Sequence, residues 1–266
     1  MKLVIKIGGQ AAEDPNGRKE LARQMAALRR SGHAIVLVHG GGKMLSRTLD
    51  RLGIPTRFHR GLRVTDEATR DVALMVLAGI VNKQWVAALE AAGQPALGIC
   101  GGDAGLIQAR KISAGPNGSG PDLGFVGRPQ KVNPAILETA FREGLIPVVA
   151  PLALGARGEF LNINADDLAA ALAMALEADR LLYLTESGGV WDHERRLLPL
   201  VRQGEIQGLI RKNVVRDGMI PKLLSCARTL RHRVGEIDIV PAAGPNVLML
   251  TVANGHRVGT RIVKSA

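Results

Sequence analysis

The sequence predicts an α/β protein, a three-layer αβα sandwich with a mainly parallel central sheet. Three observations predict it. Short runs rich in Val, Ile and Leu recur along the chain: "LVIKI" at 3–7, "AIVLV" at 34–38, "PALGI" at 95–99, "IPVVA" at 146–150, "RLLYLT" at 180–185 and "IDIV" at 237–240. Most are apolar throughout, as strands covered on both faces must be. Helical patterns separate them and short glycine turns join the two kinds of segment, the alternation that a parallel sheet requires.

Taken in order, the first strand closes on "KIGG" (Lys6, Gly8, Gly9) and a helical pattern follows over 18–31. The second strand closes on "HGGG" (His39 to Gly42), which opens a helix over 42–52, and "GLRVT" (61–65) comes after it. The pattern over 66–92 is unusual: its centre, Val72 to Val81, is ten apolar residues with no polar face. One side must pack on the sheet and the other on something else, either a second subunit or the protein's own interior; the second subunit is the more economical partner, and a homodimer is expected. Beyond the third strand, "SAGPNGSGPDLGFVGRP" at 113–129 breaks the regularity and reads as a mobile loop or hairpin, a lid on the sandwich. Helical patterns follow over 133–143, over 165–177 opened by "LNINADD" (161–167), and over 219–231 opened by "DGMIPK" (217–222).

Composition excludes several classes. The chain has 266 residues, 46% hydrophobic, enough for one sizeable core and too apolar for disorder. A net charge of +11 could serve a polyanion. Yet the basic residues are scattered without a block of five like charges, and only 2 Trp, 1 Tyr and 4 Phe are available for stacking on bases. No nucleic-acid partner is expected; the basic surface attracts anionic metabolites instead. Cys100 and Cys226 are isolated, without metal-binding spacing, and fit a reducing cytoplasm. The start carries no signal-type segment and the ten-residue apolar run is too short to cross a bilayer, so a cytoplasmic protein without a membrane partner is expected.

The glycine trio at 40–42 has three familiar readings, and none survives its context. Gly42-Lys43 is followed by Met44, so the hydroxyl of a P-loop is missing. The third glycine of a dinucleotide fingerprint is absent. The esterase oxyanion loop matches His39-Gly40-Gly41-Gly42, but no serine sits in a G-x-S-x-G elbow; Thr185 stands where Ser187 would need the first glycine. What remains is a set of glycines, cations and amides at strand ends, which in a parallel sheet converge on one crevice. That inventory suits charge neutralisation during phosphoryl transfer.

The ordered set "KIGG", "HGGG", "GLRVT", "LNINADD" and "DGMIPK" resembles the amino acid kinase family over nearly the whole chain, and within it the branch that phosphorylates N-acetyl-L-glutamate for arginine biosynthesis. The resemblance implies the amino acid kinase (carbamate kinase-like) fold, with residues 1–178 as the lobe for the amino-acid substrate and dimerisation and 179–266 as the nucleotide lobe. It implies ATP as phosphoryl donor, with Mg2+ held mainly by the phosphates. It also implies roles by position. Lys6 and Lys222 would meet the transferring phosphoryl group, with Asp166 between them to orient both. Gly8, Gly9, Gly41 and Gly42 would offer N–H groups to phosphate and substrate. Arg63 would grip the α-carboxylate through its planar fork, Asn162 would bind the substrate backbone and Asn164 would support that segment. The nucleotide would lie against "TESGGVWD", with Glu186 and Gly189, and against Val215 and Arg216 before Lys222. Here the sequence departs from the family's usual T-D-V-P-G-V: Glu186 replaces Asp, and Ser187-Gly188 replaces the Val-Pro pair. His39 is expected to be structural. Because the first strand starts at once, without the extra N-terminal helix of arginine-sensitive relatives, feedback inhibition by arginine is expected to be weak or absent.

Overall fold

The computed structural model describes residues 1–9, 14–113, 120–215, 219–252 and 258–265. Its strands are β1 Lys2–Ile7, β2 Ala34–His39, β3 Phe58–His59, β4 Leu62–Arg63, β5 Ala96–Cys100, β6 Ile107–Ser113, β7 Asp122–Val132, β8 Ile146–Ala150, β9 Leu152–Leu154, β10 Phe160–Ile163, β11 Arg180–Thr185, β12 Leu200–Arg202, β13 Glu236–Pro241 and β14 Thr260–Val263. The α-helices are α1 Pro15–Arg30, α2 Gly42–Arg51, α3 Glu67–Ala73, α4 Asn82–Ala91, α5 Ala135–Arg142, α6 Ala165–Ala175, α7 Ile206–Arg211, α8 Met219–Thr229 and α9 Val247–Val252.

Eight strands form one sheet in the order β12-β14-β13-β11-β1-β2-β8-β5. From β13 to β5 every neighbouring pair is parallel, while β14 runs antiparallel to β13. The six expected strands are the six parallel ones, and the expected helices match α1, α2, α3 to α4, α5, α6 and α8. Alternation along the strands divides the core. Leu3, Ile5, Ile7, Leu182 and Leu184 face the layer of α1 and α4, whereas Val4, Leu181 and Tyr183 face α6 and α8. Lys6 alternates with Ile5 and Ile7, so it shares the face of Val4 and α6. A lysine on a buried strand thereby meets the first turn of a helix.

Four strands outside the main sheet, β10, β7, β6 and β9, close on each other as a small barrel. β6 and β7 form a hairpin across the segment 113–129, expected as a loop or hairpin and lid; residues 114–119 of that segment lie outside the described residues. The barrel holds the 61–65 segment in place: Thr65 donates to Leu123 O at 2.8 Å and accepts from Phe125 N at 2.6 Å.

The 66–92 pattern is one continuous run whose middle, Leu74–Val81, winds as a π-helix between α3 and α4. An 18-residue window within Glu67–Ala91 has a mean hydropathy of 1.6, so the run is long and apolar enough by length and composition to cross a membrane, a property not apparent from the ten-residue core alone. Val72, Ala73, Val76, Leu77, Val81, Trp85 and Leu89 nevertheless pack in the core, as in an inner helix of a globular protein. On the other side Met75 and Ile80 remain 65% and 47% exposed.

Candidate active site

Lys6 lies near the carboxyl end of β1, and Asp166 is the second residue of α6. The start of that helix is set by Asn164, whose Oδ1 accepts hydrogen bonds from the N–H groups of Asp166 (2.8 Å) and Asp167 (3.3 Å). A carboxylate in the first turn is favoured there by the helix dipole. Lys6 Nζ is 2.8 Å from Asp166 Oδ1, and Lys222 Nζ, from the opening of α8, pairs with Asp166 Oδ2. One carboxylate therefore bridges two ammonium groups from opposite sides of the crevice. The three side chains are 13%, 12% and 25% exposed for Lys6, Lys222 and Asp166. Burial by itself pushes the Asp166 carboxyl up, but the two lysines outweigh it and hold the group at about 2. Tyr183, the register neighbour of Lys6, completes this centre: its ring lies 4.6 Å from Lys222 Nζ and its hydroxyl donates to Asp166 O at 3.3 Å.

Beside the bridge opens a pocket of about 190 Å³ lined by the glycine trio, Arg63, Asn162 and residues from Ile163 to Ala165. Arg63 is buried in its wall. Its Nη2 donates to Gly42 O at 3.1 Å and to Ser46 Oγ at 2.7 Å, its Nη1 to Thr56 Oγ1 at 3.3 Å, and Phe58 lies 4.7 Å beneath its guanidinium carbon. Burial pushes the Arg63 pKa down, opposed by the Asp50 carboxylate. No carboxylate forms a salt bridge with it among the described residues. Its fork is not wholly open, because Nη2 is occupied by the start of α2; among the described residues Nε and one Nη1 hydrogen remain. Asn162 donates to Thr65 Oγ1 at 3.3 Å.

The glycines divide into two kinds. A side chain at Gly8 would collide with the Lys6 ammonium, and one at Gly9 (φ +65) would lie 2.6 Å from Glu186 Oε1. At Gly41, φ is +144 and a Cβ would sit 2.7 Å from Leu77 Cδ2, so bare backbone is required where α2 starts. Gly189 is different. It is buried, and a Cβ there would strike Leu197 and come within 3.0 Å of Thr260 Oγ1. Its smallness serves packing against Leu197 and Thr260. Asn164 and Val215 are each held by the surrounding fold. Asn164 is engaged as helix cap, so its side-chain oxygen is not offered to a substrate. Val215 is buried in the α6 to α8 core, leaving its backbone alone as a contact. Glu186 is exposed at the crevice rim, and Arg216 lies outside the described residues.

His39 is fully buried behind the trio. Its Nδ1 is 2.6 Å from Gly40 O and its Nε2 3.3 Å from Asn82 Nδ2, so the neutral ring donates at Nδ1 and accepts at Nε2. Burial pushes its pKa down to about 4. This is the structural histidine expected.

Sequence reasoning missed Tyr183, Thr65, Ser46 and Phe58. Each had a faint signal: Tyr183 lies in the strand beside Lys6, Thr65 two residues after Arg63, and Ser46 one turn beyond Gly42.

Together, two lysines on a shared carboxylate, N–H-bearing glycine turns and a buried arginine form a centre for bringing one anion to another. Residues 1–240 match the amino acid kinase family, and the chain belongs to that family. Among individual proteins, it is 46% identical over 263 residues to the acetylglutamate kinase of Koribacter versatilis, covering 99% of each chain. It is 44% identical to the acetylglutamate kinase of Acidobacterium capsulatum, with complete coverage of both. In structure it resembles the N-acetylglutamate synthase of Neisseria gonorrhoeae solved with coenzyme A and N-acetyl-glutamate (TM-score 0.87, 28% identity), and spans 100% of its own length but 60% of that chain. The carbamate kinase of Giardia lamblia bound to AMP-PNP shares the fold at TM-score 0.71 and 16% identity, with 99% and 98% coverage.

Proposed function

We propose that the protein transfers the γ-phosphoryl group of ATP to the side-chain carboxylate of N-acetyl-L-glutamate, giving N-acetyl-L-glutamyl 5-phosphate and ADP in arginine biosynthesis. Acetylglutamate kinases 41–46% identical over nearly the full chain support this reading. The structural observation that carries it is the Lys6–Asp166–Lys222 bridge opening beside the Arg63 pocket.

The acceptor is a glutamate-type carboxylate, whose ordinary pKa of about 4.3 leaves it ionised at pH 7 without a general base. Its oxygen forms a bond to the γ-phosphorus while the bond to the β–γ bridging oxygen breaks, and ADP leaves with that electron pair. The barrier is the approach of two anions, so catalysis is positioning and charge neutralisation. Lys6 and Lys222 take the charge on the equatorial and leaving oxygens, and Asp166 holds both ammonium groups in line. Gly8, Gly9, Gly41 and Gly42 offer backbone N–H groups to phosphate and substrate oxygens. Arg63 binds the α-carboxylate with its remaining donors, and Asn162 meets the acetamido group. The N-terminal lobe, residues 1–178, takes the amino-acid substrate and the C-terminal lobe, 179–266, the nucleotide, past Glu186 and the backbone at Val215. Magnesium enters with the nucleotide, carried by its phosphates. Met75 and Ile80 of the π-helical segment face a second copy of the chain, which makes the enzyme a homodimer. Two buried, unpaired thiols fit a reducing cytoplasm.

An acyl phosphate is trapped by hydroxylamine as a hydroxamate. Hydroxamate is expected only when ATP and N-acetyl-L-glutamate are both present. ADP formation without hydroxamate would overturn the assignment.

A further inference from the structure

Lys43 follows the glycine trio in the first turn of α2 and takes no part in the centre described above. Its ammonium reaches across the crevice to the end of β11, 3.6 Å from Glu186 Oε1. The same oxygen fills the space over Gly9, 2.6 Å from where a Cβ would stand, while the Lys6 ammonium fills the space over Gly8. Lys6 and the Lys43–Glu186 pair therefore cover two consecutive glycines, whose Cα atoms are about 3.8 Å apart across a trans peptide. Both members of the pair are more than half exposed, so water screens them and the contact is readily exchanged. A polyanion entering over Gly8 and Gly9 meets a carboxylate where it needs a cation, and it meets that cation beside it. Glu186 is also the residue in which the chain departs from the family's aspartate, and the extra methylene gives its carboxylate reach toward Lys43.

We propose that Lys43 is a third phosphate-binding cation, held over the Gly8–Gly9 turn by Glu186 and transferred to the nucleotide's phosphates when they enter the crevice. The proposal rests on the reading that this crevice receives ATP. It makes Lys43 a donor that acts on binding, since it stands at the rim and not on the Lys6–Asp166–Lys222 bridge. Glu186 works as its holder and, once relieved of the lysine, turns away from the phosphates.

The test is calorimetry with ADP and with adenosine, together with steady-state kinetics. Lys43→Ala is expected to weaken ADP and raise KM for ATP about tenfold, while adenosine affinity and KM for N-acetyl-L-glutamate move less than about twofold, as for one charge-assisted contact at a half-exposed site. Lys43→Arg should restore most of the loss. In a Glu186→Gln background Lys43→Ala should cost as much or more, because the phosphates and not Glu186 are the target. Equal weakening of adenosine and ADP overturns the proposal, as does a Lys43→Ala variant that is silent once Glu186 is Gln. If Lys6→Ala weakens ADP and Lys43→Ala does not, this inference alone falls. If the wild-type enzyme binds no ADP, the reading of the crevice falls with it.

Discussion

Replacing Asp166 by Asn tests the centre of the site, because the substitution keeps shape and removes charge. In the folded protein the carboxyl is held at about 2, against an ordinary value of 3.8. A group whose folded pKa is depressed stabilises the fold above its unfolded pKa and loses that contribution as pH falls through the folded one. The window here runs from about pH 4 down to about pH 2, and the shift corresponds to about 2 kcal/mol in favour of the fold at neutral pH. Asp166→Asn forfeits this, leaves two ammonium groups facing an amide, and should lower Tm by about 4–8 °C for a chain of this size. Chemistry should suffer more than stability. Both lysines lose their common anchor, so kcat should fall on the order of 100-fold or more, comparable to removing a preorganised electrostatic donor. Differential scanning calorimetry at pH 7 and pH 3, with kcat from ADP release, measures both effects. An Asp166→Asn protein with unchanged Tm and kcat near wild type refutes the reasoning. An unchanged Tm with lost activity refutes its stability half.

Three further outcomes follow from other parts of the structure. Arg63→Ala should act mainly on KM for the amino-acid substrate, by about 1.5–3 kcal/mol for lost hydrogen bonds to a charged group, whereas Lys6→Ala and Lys222→Ala should act mainly on kcat, by about 10²–10³-fold; a KM effect in the lysine variants with kcat intact would contradict these roles. The buried His39, held at about 4, is neutral when folded but charges in the unfolded chain below about pH 6.5, so it should cost the fold on the order of 3 kcal/mol as pH falls from 6.5 to 4. Urea melts across that range should show the decline, and a His39→Gln variant should flatten it; an equal slope in both would remove the assignment. Light scattering should give twice the 28.2 kDa chain mass, and Met75→Asp with Ile80→Asp should return the monomer value. A wild-type monomer at micromolar concentration would dismiss the homodimer.

Strands buried on both faces are apolar at nearly every position, which is why β1, β2, β8, β11 and β13 were legible as near-continuous runs. The motifs at their ends were legible because parallel strands carry their carboxyl ends to one side. The small barrel was not. β9 and β10 are three and four residues long, and closure onto neighbours holds them, which no local pattern records. The π-helical winding of Leu74–Val81 likewise depends on packing and not on side-chain spacing. Within the site, identical letters hid different tasks. Gly8 and Gly189 read alike, yet one makes room for a lysine in the crevice and the other for the side chain of Leu197. Asn162 and Asn164 are two residues apart, but one is on a strand facing the pocket wall and the other caps a helix. The Lys6–Asp166 pairing was foreseeable as chemistry, while the stacking of Lys222 on Tyr183 needed the placement of α8 beside β11.

The identity of the phosphoryl acceptor is the central claim, and a coupled assay of ADP release tests it most directly. N-acetyl-L-glutamate, N-succinyl-L-glutamate, free glutamate and aspartate are compared at matched concentrations with Mg-ATP. The highest kcat/KM is expected on N-acetyl-L-glutamate, because the Asn162 side of the pocket is read as meeting an acetamido group and Arg63 as meeting an α-carboxylate. Equal or greater kcat/KM on any of the other three would contradict it.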